Sequence, residues 1–313
     1  MKILGFNCYG HDSAASLIID GKVVFAVEEE RLNRKKHFGG IPENAIRQCL
    51  NFAKLKLSDV DHVTFFWKPL ISYLNIPKFL IRYVDKVPSL LKEQRNFTVE
   101  ENLGMLNYLG DMRRLPVTLK NLFSEGSLPK FRFHLLEHHL CHAASAFYPS
   151  GFDEAAIMTL DGAGEWTTSM LAYGNDNKIK KISTVDTPYS LGAFYQAISR
   201  HLGFKLITGP GKLMGLASYG GRDSEEYKKM QRLVRLTKKG GFELDMSYFS
   251  YHYTRKSGVS KKFEKTFGPS VKEPGNWNDQ EKNVAAAAQR IVEDIFIHMA
   301  EYLKKTTQSK CLC

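Results

Sequence analysis

Residues 137–168, EHHLCHAASAFYPSGFDEAAIMTLDGAGEWTT, constrain the fold more than any other stretch of this chain. The segment holding His138 and His142 reads as a helix, Pro149 to Gly151 marks a turn, and residues 155–160 form an apolar run of strand length. Helix, turn and strand in that order point to an α/β chain. Positions four apart lie on one helix face about one turn apart. The imidazoles of His138 and His142 can therefore point at a single ion, and Asp161, where the strand ends, can supply a third ligand. Gly162 and Gly164 follow, and their backbone amides are expected to stand open to an anionic group, as in phosphate-binding turns. The sharp reading is a metal beside a phosphate cradle. The bland one is a histidine-rich helix that packs without an ion, since such pairs arise by chance and His134 and His139 lie close by. His139 falls about 100° round the helix from His138 and stays outside the proposed site. Cys141 reads as a small buried thiol.

The 313 residues suffice for one large domain or two of ordinary size, and 43% hydrophobic content allows a full core. No apolar run reaches the roughly 18 residues of a membrane span, and the first ten residues lack the apolar centre of a signal peptide. Five scattered cysteines form no disulfide framework, so a reducing cytoplasm is the expected compartment. The net charge of +11 collects in residues 31–36, 228–239 and 255–265. Such charge favours anionic partners. However, no aromatic-interleaved nucleic-acid motif accompanies it, so solvated surface is the default and nucleic acid is not expected as the main partner.

The chain opens with a strand at residues 2–7, a polar turn through His11, Asp12 and Ser13, a second strand at 14–19, an Asp20-Gly21 hairpin signal and a third strand at 23–28. Residues 28–37 read as charged surface, 43–55 as an amphipathic helix and 59–67 as a strand. A helical insertion is expected over 68–131, then a strand at 132–137. Beyond Thr168 come a hairpin around Gly174-Asn175-Asp176, a helix at 190–202 and a glycine-rich, helix-starting turn, GPGKLMGLA, that lacks Walker spacing. A basic helix at 225–237, a loop-rich stretch at 242–274, a long helix from Asn278 or Asp279 to Lys304 and a short apolar strand at 310–313 complete the chain.

The runs YGHDSAASLIIDGKVVFAVEEERLNRKKH, HHLCHAASAFYPSGF, TLDGAG, SLGAFYQAISRHLGF and GPGKLMGLASYG occur in that order, and together they resemble the O-carbamoyltransferases of the nodulation and antibiotic-biosynthesis type. The strand–loop–hairpin opening is likewise similar to the start of the actin, Hsp70 and hexokinase superfold (ASKHA, ribonuclease H-like). The resemblance implies that fold with a helical insertion, a first lobe over 1–185 and a second lobe over 186–313 that is incomplete.

The activity it implies has two steps. A C-terminal YrdC-like domain makes carbamoyl-adenylate from carbamoyl phosphate and ATP, and the N-terminal domain moves the carbamoyl group to a hydroxyl of a sugar-like small molecule. By the same resemblance His138, His142 and Asp161 hold an iron-type divalent ion, with a further Asp from later in such chains. Histidine and carboxylate ligands suit Fe, Zn or Mn alike. His11 falls at the first-loop histidine near the reacting carbonyl and Lys36 at a donor-site cation. Asp12, Ser13, Gly162, Gly164, Gly211, Lys212 and Gly215 are expected along the nucleotide. Two departures stand out. Thr208-Gly209 replaces a polar or acidic pair before the PGK turn, and the chain stops before the adenosine-binding segment and YrdC-like domain, so it reads as an N-terminal fragment. The competing readings are a tRNA threonylcarbamoyl-type transferase, opposed by EEERLNRKKH and GKLMGLASYG, and a catalytically silent nucleotide-binding module of the same fold.

Overall fold

The computed structural model describes residues 1–88, 105–123, 130–254 and 258–313. Parts of the expected insertion, and Arg255, Lys256 and Ser257 of the third basic run, lie outside them. The chain forms two compact units, Met1–Leu74 with Asn96–His138 and Asn75–Arg95 with His139–Cys313.

Along the first part of the chain run β1 (Lys2–Asn7), β2 (Ala14–Ile19), β3 (Lys22–Glu28), α1 (Glu29–Asn33), α2 (Glu43–Phe52), β4 (His62–Phe65), α3 (Pro69–Arg82), α4 (Met105–Phe123) and β5 (Arg132–Leu135). The sheet of the first unit has the order β3-β2-β1-β4-β5. β1 pairs antiparallel with β2, Leu4 opposite Leu17, and parallel with β4, Leu4 opposite Val63. β5 joins parallel to β4. Three antiparallel strands with two more parallel to the first is the sheet of the actin/Hsp70/hexokinase superfold. Strand periodicity explains the core: Leu4, Phe6, Leu17, Val63 and Phe65 turn inward on alternate positions. Against them α2 buries Ile46, Cys49 and Leu50, at spacings that share one helix face.

The stretch expected to be charged surface contains α1 instead, and Glu29 within it is buried. Its carboxylate accepts from the Ala45 backbone N–H at 2.7 Å and from Asn44 Nδ2 at 2.6 Å. Those groups belong to the first turn of α2, where Pro42 provides no side-chain cap. An acid from a neighbouring segment thus satisfies one orphan backbone donor at a helix start, Ala45 N–H, and also holds the Asn44 side chain.

The second part carries α5 (His138–Phe147), β6 (Glu154–Leu160), β7 (Thr167–Asn175), β8 (Lys178–Asp186), α6 (Leu191–His201), α7 (Gly209–Ala217), α8 (Glu225–Gln231), β9 (Val234–Leu236), β10 (Phe242–Leu244), α9 (Lys261–Phe267) and α10 (Asp279–Thr307). β6, β7 and β8 form an antiparallel sheet with Ile157 opposite Ala172. The last residues extend it: Leu312 bridges Ala156 in parallel, and Cys313 N donates to Ala156 O at 2.8 Å. The expected terminal strand is thus reduced to a single parallel bridge at Leu312, held by backbone bonds from Cys313 to Ala156 and from Ala156 to Cys311. α10 buries Val284, Ile291, Ile295, Met299 and Leu303 along one stripe and packs on α6, α7 and α8. Its start is a capping box, with Asn278 and Glu281 each accepting the other's backbone N–H.

Two expectations here give way. The basic helix ends at Gln231, because residues 234–236 pair with 242–244 as a hairpin. The stretch expected to be loop contains β10 and α9, whose Phe242, Phe263 and Phe267 are buried. Among the described residues no helix is long and apolar enough to cross a membrane.

Candidate metal centre

α5 and the end of β6 bring His138, His142 and Asp161 together. One ligand atom from each lies within 4.8 Å of the others. His142 Nε2 stands 3.3 Å from Asp161 Oδ2. His138, at the helix start, is almost fully buried, and its ring lies 5.3 Å from those of Phe66 and Trp67. His142 and Asp161 remain open, their side chains 48% and 37% exposed. His139 faces elsewhere: it is buried, with Nδ1 2.7 Å from Thr159 Oγ1. The helix therefore separates its histidines by face, as the 100° step requires. Two imidazole nitrogens and a carboxylate at this spacing fit a divalent ion of the Fe, Zn or Mn kind. The exposed side of the trio leaves coordination positions for other oxygens, as catalytic rather than closed structural sites do.

Backbone contacts hold Asp161 in place. Its N–H donates to Thr168 O at 3.0 Å, and its carbonyl accepts from Ser190 Oγ at 3.1 Å. The same hydroxyl donates to Gly162 O at 2.8 Å while accepting from Ala193 N at the start of α6. The loop lies so close to this helix that a methyl group at Gly192 would stand 2.6 Å from Gly162 N. The expectation of open glycine amides is corrected: Gly162 N donates to Asp161 Oδ1 at 2.6 Å and Gly164 N to Thr167 O at 2.9 Å. The turn consumes both donors. The space above Gly162 remains, for no atom lies within 4 Å of where its Cβ would be.

The first-loop residues form a second group, in the first unit. Asp12 hydrogen-bonds His11 Nδ1 through Oδ2 and lies 3.2 Å from His37 Nδ1 through Oδ1. Lys36 Nζ donates to Glu30 Oε1 at 2.8 Å, and the His37 backbone N–H donates to Glu30 Oε2 at 3.1 Å. These two donors hold the Glu30 carboxyl below its usual range. Ser13 is buried and spends its hydroxyl on Phe38 O at 2.9 Å, which makes it part of the loop's internal bracing. Sequence reasoning overlooked Glu30 and His37; the signal was their place in the charged run that returns to the first loop.

The third group lies on α7. Gly211, Lys212 and Gly215 are exposed, while Leu213, Leu216 and Ala217 face the core. GPGKLMGLA is thus a full helix rather than only a helix-starting turn. A Cβ at Gly211 or Gly215 would meet nothing within 4 Å, so the exposed face is flat there.

The chain is 36% identical over 320 residues to protein sll1178 of Synechocystis, covering 99% of this chain and 49% of that one. It is 30% identical over 307 residues to nodulation protein NolNO of Sinorhizobium fredii, covering 98% of this chain and 40% of the relative. The chain thus spans about half the length, or less, of these curated relatives. Among solved structures, YeaZ from Pseudomonas aeruginosa aligns at TM-score 0.31 and 14% identity over 60% of this chain and 66% of that one. The Aquifex aeolicus Ppx/GppA phosphatase aligns at TM-score 0.33 and 11% identity over 97% and 93%. The sequence model of the carbamoyltransferase N-terminus matches residues 2–313, and the chain belongs to that family.

Proposed function

We propose that this chain is the carbamoyl-transfer part of an O-carbamoyltransferase, moving the carbamoyl group of carbamoyl-adenylate to a hydroxyl of a sugar-like small molecule. The observation that carries the reading is the convergence of His138, His142 and Asp161 on a chain of this family. A divalent ion held there, with Fe favoured over Zn or Mn, supplies positive charge for phosphate oxygens of the nucleotide. A mixed anhydride already has a good leaving group. The residues' task is therefore to align the hydroxyl, accept its proton and offset developing negative charge. In this reading His11 accepts the proton, Lys36 leaves Glu30 for donor oxygens, and the flat face of Gly211, Lys212 and Gly215 meets the nucleotide. The adenylate itself is made from carbamoyl phosphate and ATP by a YrdC-like domain of the longer protein.

The test uses the full-length protein with labelled carbamoyl phosphate, ATP and a panel of sugar and aminoglycoside acceptors. ATP-dependent label in an acceptor, together with about one equivalent of metal, is expected. A His138→Ala/His142→Ala double variant should lose both. Absence of transfer to every acceptor, or full activity in the double variant, would sink the reading.

A further inference from the structure

We propose that Asp12 is the positioning residue of the first loop, fixing His11 with Nε2 outward while His37 braces its other oxygen. The assignment rests on the reading of His11 as the proton acceptor. Each carboxylate oxygen serves one ring: Oδ2 faces His11 Nδ1 and Oδ1 faces His37 Nδ1. An ionised carboxylate only accepts, so both neutral rings carry their proton on Nδ1. Nε2 is then a bare lone pair, the form a general base needs.

An exposed pair of adjacent residues would ordinarily be loose, but this loop is laced on both sides. Asn7 Nδ2 donates to Asp12 O at 3.1 Å, Tyr9 N to Gly39 O at 2.6 Å, and Glu29 N to Ser13 O at 2.8 Å. A methyl group at Gly39 would stand 2.1 Å from Gly10 O, so the two segments touch backbone to backbone. Glu30 ties the far side by taking the His37 N–H and the Lys36 ammonium. Base and cation are therefore aimed from one braced unit.

In the transfer step the acceptor oxygen bonds the carbamoyl carbon, and the hydroxyl proton passes to His11 Nε2. The bond from that carbon to the adenylate phosphate oxygen breaks, its electron pair leaving on the phosphate. Asp12 stabilises the imidazolium that forms and keeps the Nδ1 proton, as the aspartate of a serine-hydrolase triad does.

Long-range 1H–15N correlation on histidine-labelled protein, at a pH where the rings are neutral, tests this directly. His11, assigned by loss of its signal in His11→Gln, is expected as the Nδ1–H tautomer. In Asp12→Asn the signal should move toward Nε2–H. With the acceptor identified by the transfer assay, kcat should fall by about 10²–10³-fold while acceptor KM changes little. His37→Gln, which keeps a donor toward Asp12, should hold the tautomer and lose far less. An Nε2–H tautomer in the parent protein overturns the proposal without any variant, as does an unchanged tautomer in Asp12→Asn. A shifted tautomer with kcat intact upholds the positioning role and overturns His11 as proton acceptor.

Discussion

Gly192 shows how a single residue without chemistry of its own governs the candidate metal site. A Cβ there would lie 2.6 Å from Gly162 N and 2.9 Å from Asp161 O, both backbone atoms that cannot swing aside as a side chain can. Gly192→Ala must push the Asp161 loop off the start of α6. Overpacking of this kind costs about 1–3 kcal/mol. The expected outcome is a lower urea midpoint with metal content reduced toward that of the double histidine variant. Gly215→Ala is the contrasting case. It is exposed in a helix with nothing within 4 Å of the new methyl group, so the fold should gain up to about 1 kcal/mol from helix propensity. Equal stability of the two variants in denaturant titration would contradict this reading of the glycines.

Glu29 is the element-scale counterpart, because one carboxylate completes the start of a helix in another segment. α2 has no side-chain cap of its own, and Glu29 accepts from Ala45 N and Asn44 Nδ2. Hydrogen bonds to a charged group contribute about 1.5–3 kcal/mol. Glu29→Ala should therefore destabilise the first unit by roughly 2 kcal/mol, and backbone amide exchange at Ala45 should accelerate well beyond that in the sheet. Unaltered exchange there would remove Glu29 from this role. The same residue shows what the sequence could and could not disclose. Strands β1 to β3, α2 and the histidine helix follow from apolar spacing and turn residues, which are local signals. The convergence of His138, His142 and Asp161 was legible for the same reason, since helix pitch places the two imidazoles and a strand end places the carboxylate. Glu29 in an EEER run looks like any solvated acid, and only long-range packing against α2 distinguishes it. The Gly162 and Gly164 amides were misread because glycine permits both an open cradle and a closed turn; the acceptors on Asp161 and Thr167 decide between them. The hairpin of β9 and β10 escaped notice because three-residue strands carry almost no periodicity.

For the molecule as a whole, a histidine buried in its neutral form makes stability depend on pH. His201 is 3% exposed, its ring edge-on to Phe263 at 5.0 Å, and Nδ1 lies 3.1 Å from Ser270 Oγ. Ser270 donates onward to Glu264 Oε1 at 2.6 Å, so the imidazole supplies the Nδ1 proton to the hydroxyl and stays neutral. Burial pushes its pKa from 6.5 down to about 4, the Glu264 charge opposing only in part. Above pH 6.5 neither the folded nor the unfolded chain protonates it, and the residue adds no pH dependence. As pH falls from 6.5 toward 4 the unfolded chain binds a proton that the folded one refuses, so stability drops by about 1.4 kcal/mol per pH unit and about 3 kcal/mol in all. The drop levels off once the folded ring also protonates. His252, also driven to about 4 by burial, with Arg82 and Lys86 adding to the effect, contributes a second term of the same sign. Trp277 reports on this region, since its Nε1 donates to Leu202 O at 3.0 Å and its ring lies 5.1 Å from that of Phe204. Denaturant titrations followed by tryptophan fluorescence at pH 7, 6, 5 and 4.5 should show the acid-side loss. His201→Gln should be less stable than the parent at pH 7 yet fall less steeply below pH 6.5, with the two curves converging. Carboxylates that titrate at low pH affect both proteins alike, so the difference between them isolates His201, and parallel curves would show that its neutral burial does not set the acid limit.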